Sequence, residues 1–114
     1  MKLSEKQQKF AHMVAQLIIY VHSLPGHAVT FGDAYRDPRC GYGHSKSLHR
    51  MRLAVDLNLF VNGEYITCTG ELADLHWILY EKVGKFWESI GGSWGGRFEN
   101  SDPNHFSLEH DGIR

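Results

Sequence analysis

Residues 47–61 read Ser47-Leu48-His49-Arg50-Met51-Arg52-Leu53-Ala54-Val55-Asp56-Leu57-Asn58-Leu59-Phe60-Val61. From Met51 every odd position is apolar: Met51, Leu53, Val55, Leu57, Leu59 and Val61. Alternation with period two is the pattern of a strand that lays one face on a core. The even positions Arg52, Ala54, Asp56 and Asn58 then face away from the apolar layer. Asn62-Gly63 follows at once, a strong hairpin signal. Glu64 to Thr67 returns as the antiparallel partner.

Working outward, the apolar face of this strand needs a cover, and two stretches of helical spacing supply it. Ser4 followed by Gln7 is a capping-box pattern. Phe10, Met13, Val14, Leu17, Ile18 and Val21 then recur at helical spacing, which predicts a helix to about Leu24, ended by Pro25-Gly26. A second helix opens around Thr69-Gly70-Glu71. Its broad apolar face carries Leu72, Leu75, Ile78, Leu79, Val83, Phe86, Trp87 and Ile90, and it closes at Gly91-Gly92. His27 to Arg36 reads as a short strand interrupted or bulged at Gly32. Phe106 and Leu108 flank His105 on a last short strand, and Glu109 to Arg114 reads as a loose tail. The expected fold is α+β: one domain over residues 1–114, with an antiparallel sheet of about four short strands packed by two main helices.

Charge and hydropathy exclude some roles. A net charge of -1 gives no general pull toward nucleic acid or anionic membranes. No run of 18 apolar residues exists, so no stable membrane insertion is expected. The segment from Met1 to Lys6 leads into a polar stretch and lacks a signal-peptide core, so synthesis in the cytoplasm is expected. Cys40 and Cys68 lack metal-ligand spacing and read as free thiols.

Candidate chemistry gathers at two places. His49 precedes the central strand, and Asp56 lies on its outward face. They are an odd number of residues apart, so they converge only if His49 lies in the turn entering the strand or at a bulge. Together they are plausible ligands for a metal such as zinc. In the segment Asn100-Ser101-Asp102-Pro103-Asn104-His105-Phe106-Ser107, His105 is the candidate third ligand and Asp102 a candidate general base. Two histidines and one carboxylate leave a fourth tetrahedral position for water, the arrangement of a catalytic zinc. His44 is a rival ligand in the loop from Asp37 to Lys46, and Cys40 could approach the same metal. Ser47 either caps the turn or hydrogen-bonds substrate. Trp94-Gly95-Gly96-Arg97-Phe98 either walls a cleft or forms a tight turn that packs Trp94 into the core.

These motifs resemble the M15 zinc peptidases, the group of D-Ala-D-Ala carboxypeptidases and phage L-alanyl-D-glutamate endolysins. The family pattern S-x-H-x-x-G-x-A-x-D is met at Ser47, His49, Ala54 and Asp56, and departs at Arg52, where many members carry Gly. The segments Phe86-Trp87-Glu88-Ser89, Trp94-Gly95-Gly96-Arg97-Phe98 and Asn104-His105-Phe106-Ser107 look like the phage branch. The resemblance implies zinc held by His49, Asp56 and His105, with Asp102 taking a proton from water and passing it to the leaving amine. It places Arg36 where relatives hold a substrate carboxylate; the alternative is a surface Arg beside Asp37. It implies a monomer that cuts the L-Ala–D-Glu bond of the peptidoglycan stem peptide. Made in a host cytoplasm, it would act at the cell wall after holin-dependent release. The alternatives are a D-Ala-D-Ala carboxypeptidase or dipeptidase with the same zinc site, and a non-catalytic zinc-containing wall-binding module. Arg52 on the Asp56 face is the feature that supports the last of these.

Overall fold

The computed structural model describes residues 1–35 and 47–114. Helix α1 spans Leu3–Ser23 and buries Phe10, Met13, Leu17 and Val21, four members of the stripe read from the sequence. It starts at Lys2 rather than at Ser4: the Lys2 N–H donates to the Glu5 carboxylate at 3.3 Å. Glu5 thereby occupies the third helical position and satisfies a donor that the helix leaves open.

Strand β1 (His27–Phe31) pairs antiparallel with β2 (Ala54–Val61), from His27 opposite Val61 to Phe31 opposite Leu57. At the end of this ladder the Gly32 N–H donates to the Asp56 carbonyl at 2.8 Å, and the Asp56 N–H donates to the Asp33 carbonyl at 2.7 Å. Two residues thus oppose one, which is the bulge expected at Gly32. Asn62 and Gly63 both take positive φ, 52° and 82°, as a tight hairpin turn requires. The chain then returns as β3 (Glu64–Tyr65).

Helix α2 spans Ala73–Ser89, opening later than Thr69-Gly70-Glu71. Its buried face is Tyr80, Val83, Gly84 and Trp87. Leu72, Leu75 and Ile78 are 52%, 62% and 62% exposed, so the apolar face is narrower than the sequence pattern implied. Gly84 sets the helix phase, because a Cβ there would lie 2.1 Å from the Trp94 ring. Trp94 packs against the bare backbone instead. Tyr80 ties α2 to the sheet: its hydroxyl accepts from the Leu59 N–H at 3.0 Å and donates to the Ile66 carbonyl at 2.8 Å. Burial pushes this phenol up, so it stays protonated as the donor.

Beyond α2 come β4 (Ser93–Trp94) and β5 (His105–Ser107), giving five strands where about four were expected. The sheet order is β1-β2-β5-β4, with β3 also pairing with β2. Trp87 holds this end together, its indole N–H donating to the Ser93 and Ser107 carbonyls at 3.1 and 3.0 Å. Residues 109–114 are not loose. His110 and Ile113 exchange two backbone hydrogen bonds of 2.9 Å, and the Lys6 ammonium donates to the Glu109 carbonyl at 3.1 Å. Among the described residues no helix is long and apolar enough to cross a membrane.

Candidate metal centre

The short 3-10 turn Leu48–Met51 resolves the parity of His49 and Asp56. Ser47 caps it, its hydroxyl accepting from the His49 N–H at 3.2 Å. Arg52 ends it in the left-handed conformation, with φ 57° and ψ 36°. That conformation costs an L-residue roughly 1 kcal/mol and glycine very little, which accounts for the glycine of the family pattern. Arg52 therefore lies outside β2, not on the strand's Asp56 face. It is exposed, and its guanidinium rests 4.2 Å over the Tyr35 ring. The turn carries His49 back over the face where Asp56 emerges, and leaves it 4% exposed.

Asp56 meets His105 by strand register. The two are directly opposed in the β2–β5 ladder, and opposed residues share a face. His49 Nε2 lies 3.4 Å from Asp56 Oδ1, and His105 Nδ1 lies 3.5 Å from the same oxygen. The three side chains offer ligand atoms that all lie within 4.8 Å of one another. Asp56 Oδ1 is buried yet has no well-formed hydrogen bond. Three lone-pair donors aimed at each other are stable only with protons or a cation among them. Burial works against the Asp56 carboxylate, but the close approach of the His105 and His49 imidazoles outweighs it and holds the group below the ordinary carboxylate range. Two imidazoles and a carboxylate are a borderline-soft donor set that suits zinc. The residues present fit such an ion.

Asp102 stands beside this cluster, its Oδ2 3.9 Å from His105 Nδ1. Its side chain is 52% exposed. Packing around the carboxyl, and then the charge of Asp56, lift Asp102 above the ordinary carboxylate range, against the pull of His105 and His49. A lifted carboxyl is a stronger base than a free one. Its position comes from Gly95. The Asp102 N–H donates to the Gly95 carbonyl at 2.9 Å, and the His105 N–H donates to the Asp102 carbonyl at 3.0 Å. A Cβ on Gly95 would sit 2.3 Å from the Asp102 carbonyl oxygen and 2.7 Å from His105 Cβ. Trp94 is the core anchor of this turn, 1% exposed, its indole N–H donating to the Pro103 carbonyl at 2.7 Å.

Three supporting residues, Gly32 of the expected bulge and Gly95 and Phe98 of the expected cleft wall or tight turn, carry no ligand chemistry but shape the site. Gly95 clears space for Asp102 and His105. Gly32 does the same for Asp56, since a Cβ there would lie 3.1 Å from Asp56 Cβ. Phe98 packs on the His105 ring, with centroids 5.4 Å apart. The glycine-aromatic spelling of residues 94–98 was the available signal for Gly95 and Phe98. Arg36, Cys40 and His44 lie outside the described residues. The free thiol Cys68 lines a cleft of about 210 Å³ with Asp74, Trp77, Ser101 and Pro103, so this cleft adjoins Asp102. Burial pushes the Cys68 thiol up, away from the thiolate a ligand needs.

The fold and the cluster thus define a small α+β protein with a three-ligand candidate metal site and an adjacent carboxylate. Residues 41–108 match the sequence profile of an M15 peptidase family described as D-alanyl-D-alanine carboxypeptidase. The match spans more than half of the chain, and the chain belongs to this family of peptidases. Among curated proteins none matches.

Proposed function

We propose that the protein is a zinc-dependent peptidoglycan peptidase of the endolysin type, which hydrolyses the L-Ala–D-Glu bond of the stem peptide. The observation that carries this reading is the juxtaposition of buried His49 and His105 and half-buried Asp56 with Asp102. His49, Asp56 and His105 would hold the ion. Zinc in a three-ligand site acidifies water and polarises a carbonyl. Asp102, half-exposed and 3.9 Å from His105, would accept a proton from the attacking water at its carboxylate and return it to the leaving amine. The wall of packed rings around His105 fixes that imidazole: Phe98 on one side, and His49 at a centroid distance of 5.1 Å. Arg36 would hold a substrate carboxylate. Ser47, besides capping its turn, would meet substrate at the rim. The protein would act as a monomer at the cell wall, released from a host cytoplasm through a holin.

The family description favours one second reading, removal of a terminal D-Ala by the same site. The non-catalytic module loses its support, because Arg52 stacks on Tyr35 instead of standing on the Asp56 face. The test is digestion of purified peptidoglycan, with and without chelator and zinc restoration, read by mass spectrometry. New N-terminal D-Glu ends that vanish with chelator are expected. Release of D-Ala alone would move the protein to the carboxypeptidase reading. No metal-dependent product from zinc-loaded protein would end the peptidase reading.

A further inference from the structure

The outward face of β2 continues past the candidate metal centre, and an aromatic pair lies on it. Phe60 is four residues beyond Asp56, so it emerges on the same face about 13 Å away at roughly 3.3 Å per residue. Tyr65 of β3 is directly opposite Phe60, and the two rings tilt together with centroids 5.6 Å apart. Tyr65 is 49% exposed. Between the pair and Asp56 stands Asn58, whose carboxamide oxygen accepts from Asn104 Nδ2 at 3.2 Å. The exposed Thr30 is opposite Asn58 on β1. The strip therefore runs from the metal ligands, across a pair of amides, to an open aromatic platform.

We infer that the Phe60–Tyr65 pair is a subsite for a pyranose ring, the amino sugar that carries the stem peptide. The inference rests on the peptidoglycan reading above. If the scissile bond lies after the first residue of the stem, that residue and the lactyl linker separate it from the sugar. Each spans about 3.5 Å, so with the half-width of the ring the separation is on the order of 10 Å, close to the spacing of the platform. Ring C–H bonds of a pyranose carry partial positive charge and settle on the negative face of an aromatic ring. The Asn58 and Asn104 carboxamides can donate to and accept from the amide groups between sugar and scissile bond. A cut three or more residues from the sugar would leave this platform without a ligand.

The test compares two soluble substrates: the disaccharide-linked stem peptide and the same peptide freed of sugar. Tyr65→Thr keeps a strand-forming side chain and removes the ring. It is expected to lower kcat/KM about tenfold on the sugar-linked substrate, through KM, and to leave the sugar-free peptide unchanged. Tyr65→Phe should retain the wild-type preference. An equal effect on both substrates, or on neither, would overturn the subsite. Titration of the free disaccharide, read on the Phe60 and Tyr65 ring resonances, needs no cleavage. Saturable shifts that Tyr65→Thr abolishes are expected, and their absence overturns the subsite. Ring shifts that follow protein concentration alone would assign the pair to a second copy and equally overturn it. Sugar binding without cleavage of any wall substrate would keep the subsite and remove the peptidase reading.

Discussion

At the scale of single residues, Arg52 and Asp102 separate what the backbone needs from what the chemistry needs. Arg52 holds a left-handed backbone and contributes a cation over Tyr35. Replacing it by glycine relieves the backbone and loses the ring contact, two terms of similar size and opposite sign. Arg52→Gly is therefore expected to change stability by less than about 1 kcal/mol and to leave metal affinity unaltered, measured by denaturant titration and zinc competition. Asp102 is the reverse case: nothing in the fold hangs on its carboxyl, because its backbone makes the structural hydrogen bonds. Asp102→Asn should keep fold and zinc while kcat falls by roughly 100-fold or more, the scale of a lost general base. Undiminished hydrolysis would remove Asp102 from the mechanism.

At the scale of elements, register does the assembling. The β2–β5 ladder puts His105 opposite Asp56, and the 3-10 turn before β2 delivers His49 to the same face. The alternation from Leu53 to Val61 was legible because one face of β2 is dry and the other is not. The start of the strand was not, since Met51 and Arg52 continue the alternation within a turn. In α2 the apolar spelling of Leu72, Leu75 and Ile78 suggested a core face. The actual face is fixed by contacts remote in sequence: Gly84 receives Trp94, and Tyr80 bonds the sheet. The three ligands were visible as residues, and the glycines of residues 94–98 signalled close backbone approach; which neighbours Gly32 and Gly95 make room for was not visible, because it depends on contacts remote in sequence. Gly95→Ala tests that point. Its Cβ would press on backbone rather than on a flexible side chain, so a loss of roughly 1–3 kcal/mol is expected, with weakened zinc binding. Unchanged stability and affinity would show that the turn has room to yield.

At the scale of the whole molecule, the centre joins distant parts of the chain. His49 precedes the central strand, and His105 follows α2 and the turn at Gly95. An ion that binds only the folded arrangement stabilises it by mass action. With free zinc about 100-fold above its dissociation constant the gain is about 2.7 kcal/mol, a rise in Tm of roughly 10 °C for a chain of this size. Chelator should reverse the rise, and His105→Ala should abolish it. Its affinity should fall by more than the roughly 10–100-fold typical of a supporting residue.

The central claim is that His49, Asp56 and His105 hold one metal. Anomalous diffraction at the zinc edge, from crystals of zinc-loaded protein, tests it most directly. The predicted result is one strong peak among those three side chains, beside Asp102. A peak elsewhere, or none at this cluster in protein that carries zinc in solution, would contradict it.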